Sequence, residues 1–198
     1  MLAAHKVKEK INNEGLILFF FRISKRAYLK FFRLISTIYW KLFLQQCGKG
    51  TRIGIGVYFA SPGKVSIGKN VIISDRCHFG TELDTGSMTI STGVQINKNC
   101  TVDYTGGVIF GKNTLISEGV KILTHSHGYD PRSTPVGSGL KIGKNVWIGM
   151  DAFISENVSH IEDGIIVAAK SVVTRSLSKK NYIYAGIPAR PVKKIPGF

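Results

Sequence analysis

The strongest constraint on this chain is a period. Between residues 108 and 174 an aliphatic side chain returns at about every sixth position, at Ile116, Ile122, Ile142, Ile148, Ile154, Ile161, Val167 and Val173. Gly143 and Gly149 follow directly after two of them, and Val120, Val146 and Ala152 stand two positions before the next. A fixed period decides the architecture before any local propensity does. Six is neither the helical period of about 3.6 nor the alternation of a simple strand. It suits a flat-sided coil with three short parallel strands per turn, each side sending one aliphatic side chain inward. The expected fold is therefore mainly β, a solenoid over residues 51–178.

The repeat starts raggedly at Ile53-Gly54-Ile55-Gly56 and runs through Ile67-Gly68-Lys69-Asn70 to Ile73 and Phe79. A break at residues 84–87 resets it, and Ile90, Ile96 and Val102 continue it before Thr105-Gly106-Gly107 adds two residues. Four copies of one phrase, at residues 67–70, 96–99, 110–113 and 142–145, supply corners. Asn and Gly accept left-handed backbone angles there, and the Lys projects into water. The seven-residue step from Ile154 to Ile161 predicts one bulged residue.

One interruption has no role in such a core. Residues 124–139, THSHGYDPRSTPVGSG, are rich in Gly and Pro and carry two histidines. A long insertion at a corner of a rigid scaffold is where function is expected.

Residues 1–50 form a separate arm. Residues 1–14 read as polar and loose, and 16–21 (LILFFF) are too few to span a bilayer. From Tyr28 to Gln45 the pattern is helical: Lys30, Arg33, Thr37, Lys41 and Gln45 make one polar stripe beside a broad apolar remainder that includes Trp40. Gly48 is placed to end this helix. Ten Lys or Arg against two Glu give the arm +8 of the chain's net +15. Two uses remain open for it. Its helix caps the exposed end of the solenoid and packs against neighbouring subunits, or residues 16–46 lie on an anionic membrane surface. Residues 179–198 end the chain in a basic tail with Lys193 and Lys194.

The three cysteines have no metal-ligand spacing, and Cys77 and Cys100 fall where the repeat wants small buried residues. They read as reduced packing residues in a cytoplasmic setting, with the inner face of the membrane as the arm's second option.

Four features in order resemble the hexapeptide-repeat acyltransferases, in their sugar and polysaccharide O-acetyltransferase branch. They are Gly143-Lys144-Asn145-Val146-Trp147-Ile148-Gly149, the histidine-bearing insertion ending in Tyr129-Asp130-Pro131, Ala169-Lys170-Ser171-Val172-Val173-Thr174, and Gly186-Ile187-Pro188-Ala189-Arg190. The resemblance covers roughly residues 50–195. It implies a left-handed parallel β-helix with a protruding catalytic loop, a homotrimer, and acetyl-CoA bound in the groove between neighbouring coils. Its acceptor would be a saccharide hydroxyl of a cell-surface polysaccharide, such as O-antigen or capsule, or of a precursor. The chain departs from the family at Val158-Ser159-His160-Ile161-Glu162, and it carries Ala168-Ala169-Lys170-Ser171 where the family has Gly-Ala-Gly-Ser.

A sugar hydroxyl is a poor nucleophile until its proton leaves, so the transfer needs a base. His125 and His127 qualify by position, and His127 stands where the family places its catalytic His; His125 then orients the loop or binds substrate. The resemblance assigns the backbone amide of Met150 to the oxyanion, and Trp147 lines the cofactor groove or packs between subunits. Ala169, Thr174, Arg175 and Arg190 are the candidates for the pantetheine, adenine and phosphate contacts. Asp103 and Asp84, at corners before the loop, are candidates for hydrogen bonds from the acceptor.

Two other acceptors stay open on the same fold, an amino sugar acylated on nitrogen and a small antibiotic. A metal-dependent hydratase built on such coils needs three converging histidines. His78 lies too far back by coil count and His125 and His127 are only two apart, so no metal is expected. A basic scaffold for nucleic acid is disfavoured, because the aromatic residues gather in the arm instead of interleaving with Lys and Arg on one face.

Overall fold

The computed structural model describes residues 15–197. Residues 1–14, expected to be polar and loose, lie outside the described residues. A three-sided parallel β-solenoid follows one long helix. The first face stacks strands 46–47, 65–67, 88–90, 108–110, 140–142 and 160–161. The second stacks 52–53, 72–73, 95–96, 115–116, 147–148 and 166–167, and the third stacks 58–59, 78–80, 101–103, 121–122, 153–154 and 172–173. The solenoid thus begins a few residues before the expected position 51. The expected tail adds to the second face instead of trailing away. Strand 182–186 pairs parallel with 166–167, then antiparallel with 189–194.

Two-residue strands send one side chain inward and the three-residue strands 65–67, 88–90, 108–110 and 140–142 send two, at their first and third positions; a strand with its corner spans about six residues, which sets the period. Parallel in-register pairing sets like on like. On the second face Ile53, Ile73, Ile96, Ile116, Ile148, Val167 and Tyr184 form one column. On the third face Phe59, Phe79, Val102, Ile122, Ile154 and Val173 do the same. Both columns are buried, and each fully buried aliphatic side chain contributes about 1.5–3 kcal/mol. Cys77 and Cys100 are buried free thiols in this core.

The four Asn of the corner phrases, Asn70, Asn99, Asn113 and Asn145, have φ of 55°, 59°, 58° and 53°, the left-handed turn that Asn tolerates. Gly111 is needed for a different reason. A Cβ there would strike the backbone of Gly143 in the next coil.

Helix α1 runs unbroken over Leu16–Phe43, so the LILFFF run and the predicted helix are one element. Gly48 does not end it. The chain turns out at Leu44, whose N–H still donates to Trp40 O, and Gly48 packs against Gly68 in the next coil. The polar stripe faces the solenoid. Thr37 is the buried residue of the helix; its hydroxyl accepts the Ile53 N–H at 2.9 Å and donates to Arg33 O at 2.7 Å. Arg33 reaches Asp75 at 3.0 and 2.6 Å, and Trp40 packs edge-on against Phe59. The apolar side, including Phe20, Phe21, Phe31, Ile35, Ile38 and Leu42, is exposed. No described helix is long and apolar enough to cross a membrane.

Candidate active site

The histidine loop leaves the third face after strand 121–122. Residues 125–126 pair antiparallel with 136–137, so a short ladder forms its neck. Its root is fastened to the coil beneath. Thr124 Oγ1 accepts the Gly106 N–H at 3.0 Å, the Ser138 N–H donates to Thr124 O at 2.7 Å, and the Leu140 N–H donates to Gly107 O at 2.9 Å. A Cβ on Gly106 would collide with Thr124 and Ser138. The Thr105-Gly106-Gly107 interruption is therefore the seat of the loop.

Asp103 ends the strand below and points up into this root. Its Oδ1 accepts the N–H of Thr105 at 3.0 Å and the Thr105 hydroxyl. Its Oδ2 faces the Thr124 N–H at 2.6 Å, the Thr124 hydroxyl at 2.9 Å and His125 Nδ1 at 2.9 Å. Burial pushes the carboxyl up, but the hydrogen bonds from Thr105, Thr124 and His125 outweigh it and hold Asp103 below the ordinary carboxylate range. Five partners exhaust the roughly four lone-pair sites of a carboxylate. The structure thus sets Asp103 behind His125, where the sequence suggested a contact to the acceptor. Asp84 is exposed and outside the cluster.

His127 sits farther out. Its Nδ1 is 2.7 Å from Ser133 O, and the Ser133 hydroxyl donates back to His127 O at 2.7 Å. The two rings meet edge to face with centroids 5.1 Å apart. Both Nε2 atoms converge on Glu82: His125 Nε2 is 3.4 Å from Oε1 and His127 Nε2 is 3.3 Å from Oε2. Glu82 lies in the irregular segment between strands 78–80 and 88–90. Its N–H donates to Thr105 Oγ1 at 2.9 Å, which ties that segment to the same root. The sequence reading missed Glu82. Its one signal was the break in the repeat two residues farther on.

A groove of about 530 Å³ runs along the second face, lined by Lys98, Ser117, Trp147, Gly149, Met150, Ala168 and Ala169 among others. It brings together Trp147, Met150 and Ala169 of the expected cofactor contacts. Trp147 Nε1–H donates to Ser117 Oγ at 2.9 Å, which sets the indole along the wall. Thr174 and Arg175 are exposed beyond strand 172–173. Arg190 is on the terminal hairpin, where its Nη1 donates to Ala189 O at 3.1 Å. These three do not line the groove, and neither do His125 and His127. One chain therefore presents the groove and the histidine cluster as separate features. His78 stacks on Tyr58, and His160 pairs with Ser178 at 3.1 Å; both lie outside the cluster.

No family model matches the chain. It is 29% identical over 191 residues to the Escherichia coli K12 protein WbbJ, provisionally named a lipopolysaccharide biosynthesis O-acetyl transferase, covering 87% of this chain and 93% of that one. Among solved structures it superposes on AntD, an N-acyltransferase from Bacillus cereus in complex with dTDP and 3-hydroxybutyryl-CoA. The TM-score is 0.71 at 25% identity, over 81% of this chain and 88% of that one. The hexapeptide-repeat acetyltransferase VCA0836 of Vibrio cholerae shares the fold, with a TM-score of 0.58 at 20% identity over 87% and 89% of the two chains.

Proposed function

Because the chain belongs to the hexapeptide-repeat acyltransferases and is an acetyltransferase of that family, we propose that it carries the acetyl group of acetyl-CoA to a saccharide hydroxyl of a cell-surface polysaccharide or its precursor. The observation that carries this reading is the fixing of His127. Its Nδ1 faces a carbonyl, Ser133 O, and a carbonyl only accepts, so the neutral ring carries its proton on Nδ1 and presents the Nε2 lone pair to a substrate proton.

In the proposed reaction His127 Nε2 takes the proton of the acceptor hydroxyl as its oxygen attacks the thioester carbonyl. The oxyanion so formed is held by the Met150 amide. Its collapse breaks the C–S bond, and the departing CoA sulfur takes the proton back from His127. His125, backed by Asp103, positions the loop and the acceptor. The carrier lies along the Trp147–Ala169 groove of one chain and meets the loop of a neighbour, so the working unit is a homotrimer. Thr174, Arg175 and Arg190 then face the cofactor from outside the groove. For the acceptor, the likeness to WbbJ over nearly its whole length supports a polysaccharide unit.

A second reading, N-acylation of an amino sugar, is supported by the likeness to AntD. The test is acetyl-CoA turnover against a panel of sugars, amino sugars, nucleotide-sugars and lipid-linked saccharides, with His127→Ala beside the parent. Turnover restricted to hydroxyl acceptors and lost in the variant is the expected result. Turnover restricted to amines selects the second reading, and equal rates in both proteins remove His127 as the base.

A further inference from the structure

We propose that Glu82, His125 and His127 form a binding site for one divalent transition-metal ion of the Zn²⁺, Co²⁺ or Ni²⁺ class. The proposal starts from where the protons must be. Asp103 Oδ2 and Ser133 O can only accept hydrogen bonds, so each imidazole carries its hydrogen on Nδ1. In the neutral rings both Nε2 atoms then present lone pairs, and what they face is a third acceptor, the Glu82 carboxylate, at 3.4 and 3.3 Å. With neutral rings, three lone-pair donors converge and repel unless a cation is shared among them, either a proton on an imidazole or a metal ion. The ligand atoms of the three residues lie within 4.8 Å of one another.

The spacing suits a metal. Tetrahedral coordination with bonds of about 2.0–2.1 Å separates neighbouring ligand atoms by roughly 3.3 Å. Two imidazoles and one carboxylate match the ligand softness of zinc and its neighbours, and three protein ligands leave a coordination position open. The surroundings also match. A metal-binding His gives its other ring N–H to a carboxylate or a backbone carbonyl; here His125 uses Asp103 and His127 uses Ser133. The support extends further, since Thr105 bonds both Asp103 and the Glu82 backbone. The root thus holds His125 and Glu82, and Ser133 in the loop holds His127.

Occupancy has a functional consequence that rests on the proposed function. A metal at this point takes the Nε2 lone pair that His127 needs as a base, so the loaded protein is closed to acetyl transfer until the ion leaves.

The test uses the full chain after treatment with chelator, titrated with Co²⁺ and without acyl-CoA. The expected result is a visible d–d absorption of tetrahedral Co²⁺ saturating at one ion per chain and displaced by Zn²⁺. His125→Gln and His127→Gln abolish it, Glu82→Gln weakens it, and Asp103→Asn weakens it roughly 10–100-fold by releasing His125. His160→Gln leaves it unchanged. Glu82 is exposed, so its variant keeps the fold, and circular dichroism of each variant confirms that. Absence of the band, or a band indifferent to Glu82→Gln and His127→Gln, overturns the site. Zn²⁺ should suppress acetyl transfer and a chelator restore it; transfer at full rate with the site filled overturns the inhibitory role. If no acceptor is ever acetylated, the function reading fails, and the Co²⁺ titration still decides this one.

Discussion

His127 is clamped by Ser133 through two reciprocal bonds of 2.7 Å, while His125 is held from behind by Asp103. If His127 is the base, His127→Ala should cut the rate about 10²–10⁴-fold. His125→Ala should cost less, read as a KM rise larger than its loss of kcat; the opposite ranking would move the base to His125. Asp103 yields a pH expectation. Its folded pKa lies below its unfolded value, so it contributes stability that is fully present above the ordinary carboxylate pKa of about 3.9 and lost as pH falls through the folded value. Acid unfolding followed by circular dichroism should therefore steepen below about pH 4 in the parent, and Asp103→Asn should remove this group's share of the slope. Glu82 was not legible from sequence because it meets the histidines only through the register of coils about forty residues apart, and no local pattern encodes that.

At the scale of elements, the inward columns were legible because the period itself names the buried positions, and the corner Asn residues because the phrase recurs. The orientation of α1 was not. A stripe pattern tells which side chains share a face, but here the face that docks is the polar one. Ile53 needs a partner for its N–H and finds it in Thr37. Thr37→Val keeps the shape and removes that partner, leaving a buried donor unsatisfied at about 1–3 kcal/mol. Thermal unfolding should register the loss. No fall in melting temperature would mean that Trp40, Arg33 and the Ser36 hydroxyl, which donates to Gly54 O at 2.7 Å, hold the helix without Thr37.

For the whole molecule, the proposed function together with the separation of groove and histidine cluster within one chain predicts that assembly is a condition of activity. Sedimentation should give three times the 21.7 kDa chain mass, and transfer activity should fall on dilution as the trimer dissociates. A fully active monomer would refute the proposed working unit. The arm bears on where that unit operates. Helix α1 carries six cationic side chains and no acidic one, and its aromatic and aliphatic side is exposed, a combination suited to an anionic lipid surface. Deleting residues 1–30 leaves the Arg33, Thr37 and Trp40 contacts in place and should abolish flotation with anionic vesicles, whereas neutral vesicles should not float either protein. Flotation that survives the deletion would assign the exposed side to contacts between subunits.

The seat of the histidine loop on Gly106 and Gly107 has one more consequence. Because the loop is tied down by main-chain bonds at its two ends, the stretch between them contributes little to holding the coils together. That stretch is the interchangeable head of a fixed handle: new tips grafted between Gly128 and Pro135 that keep Ser133 on His127 should change which acceptor is received, while the handling of the thioester carrier goes on as before.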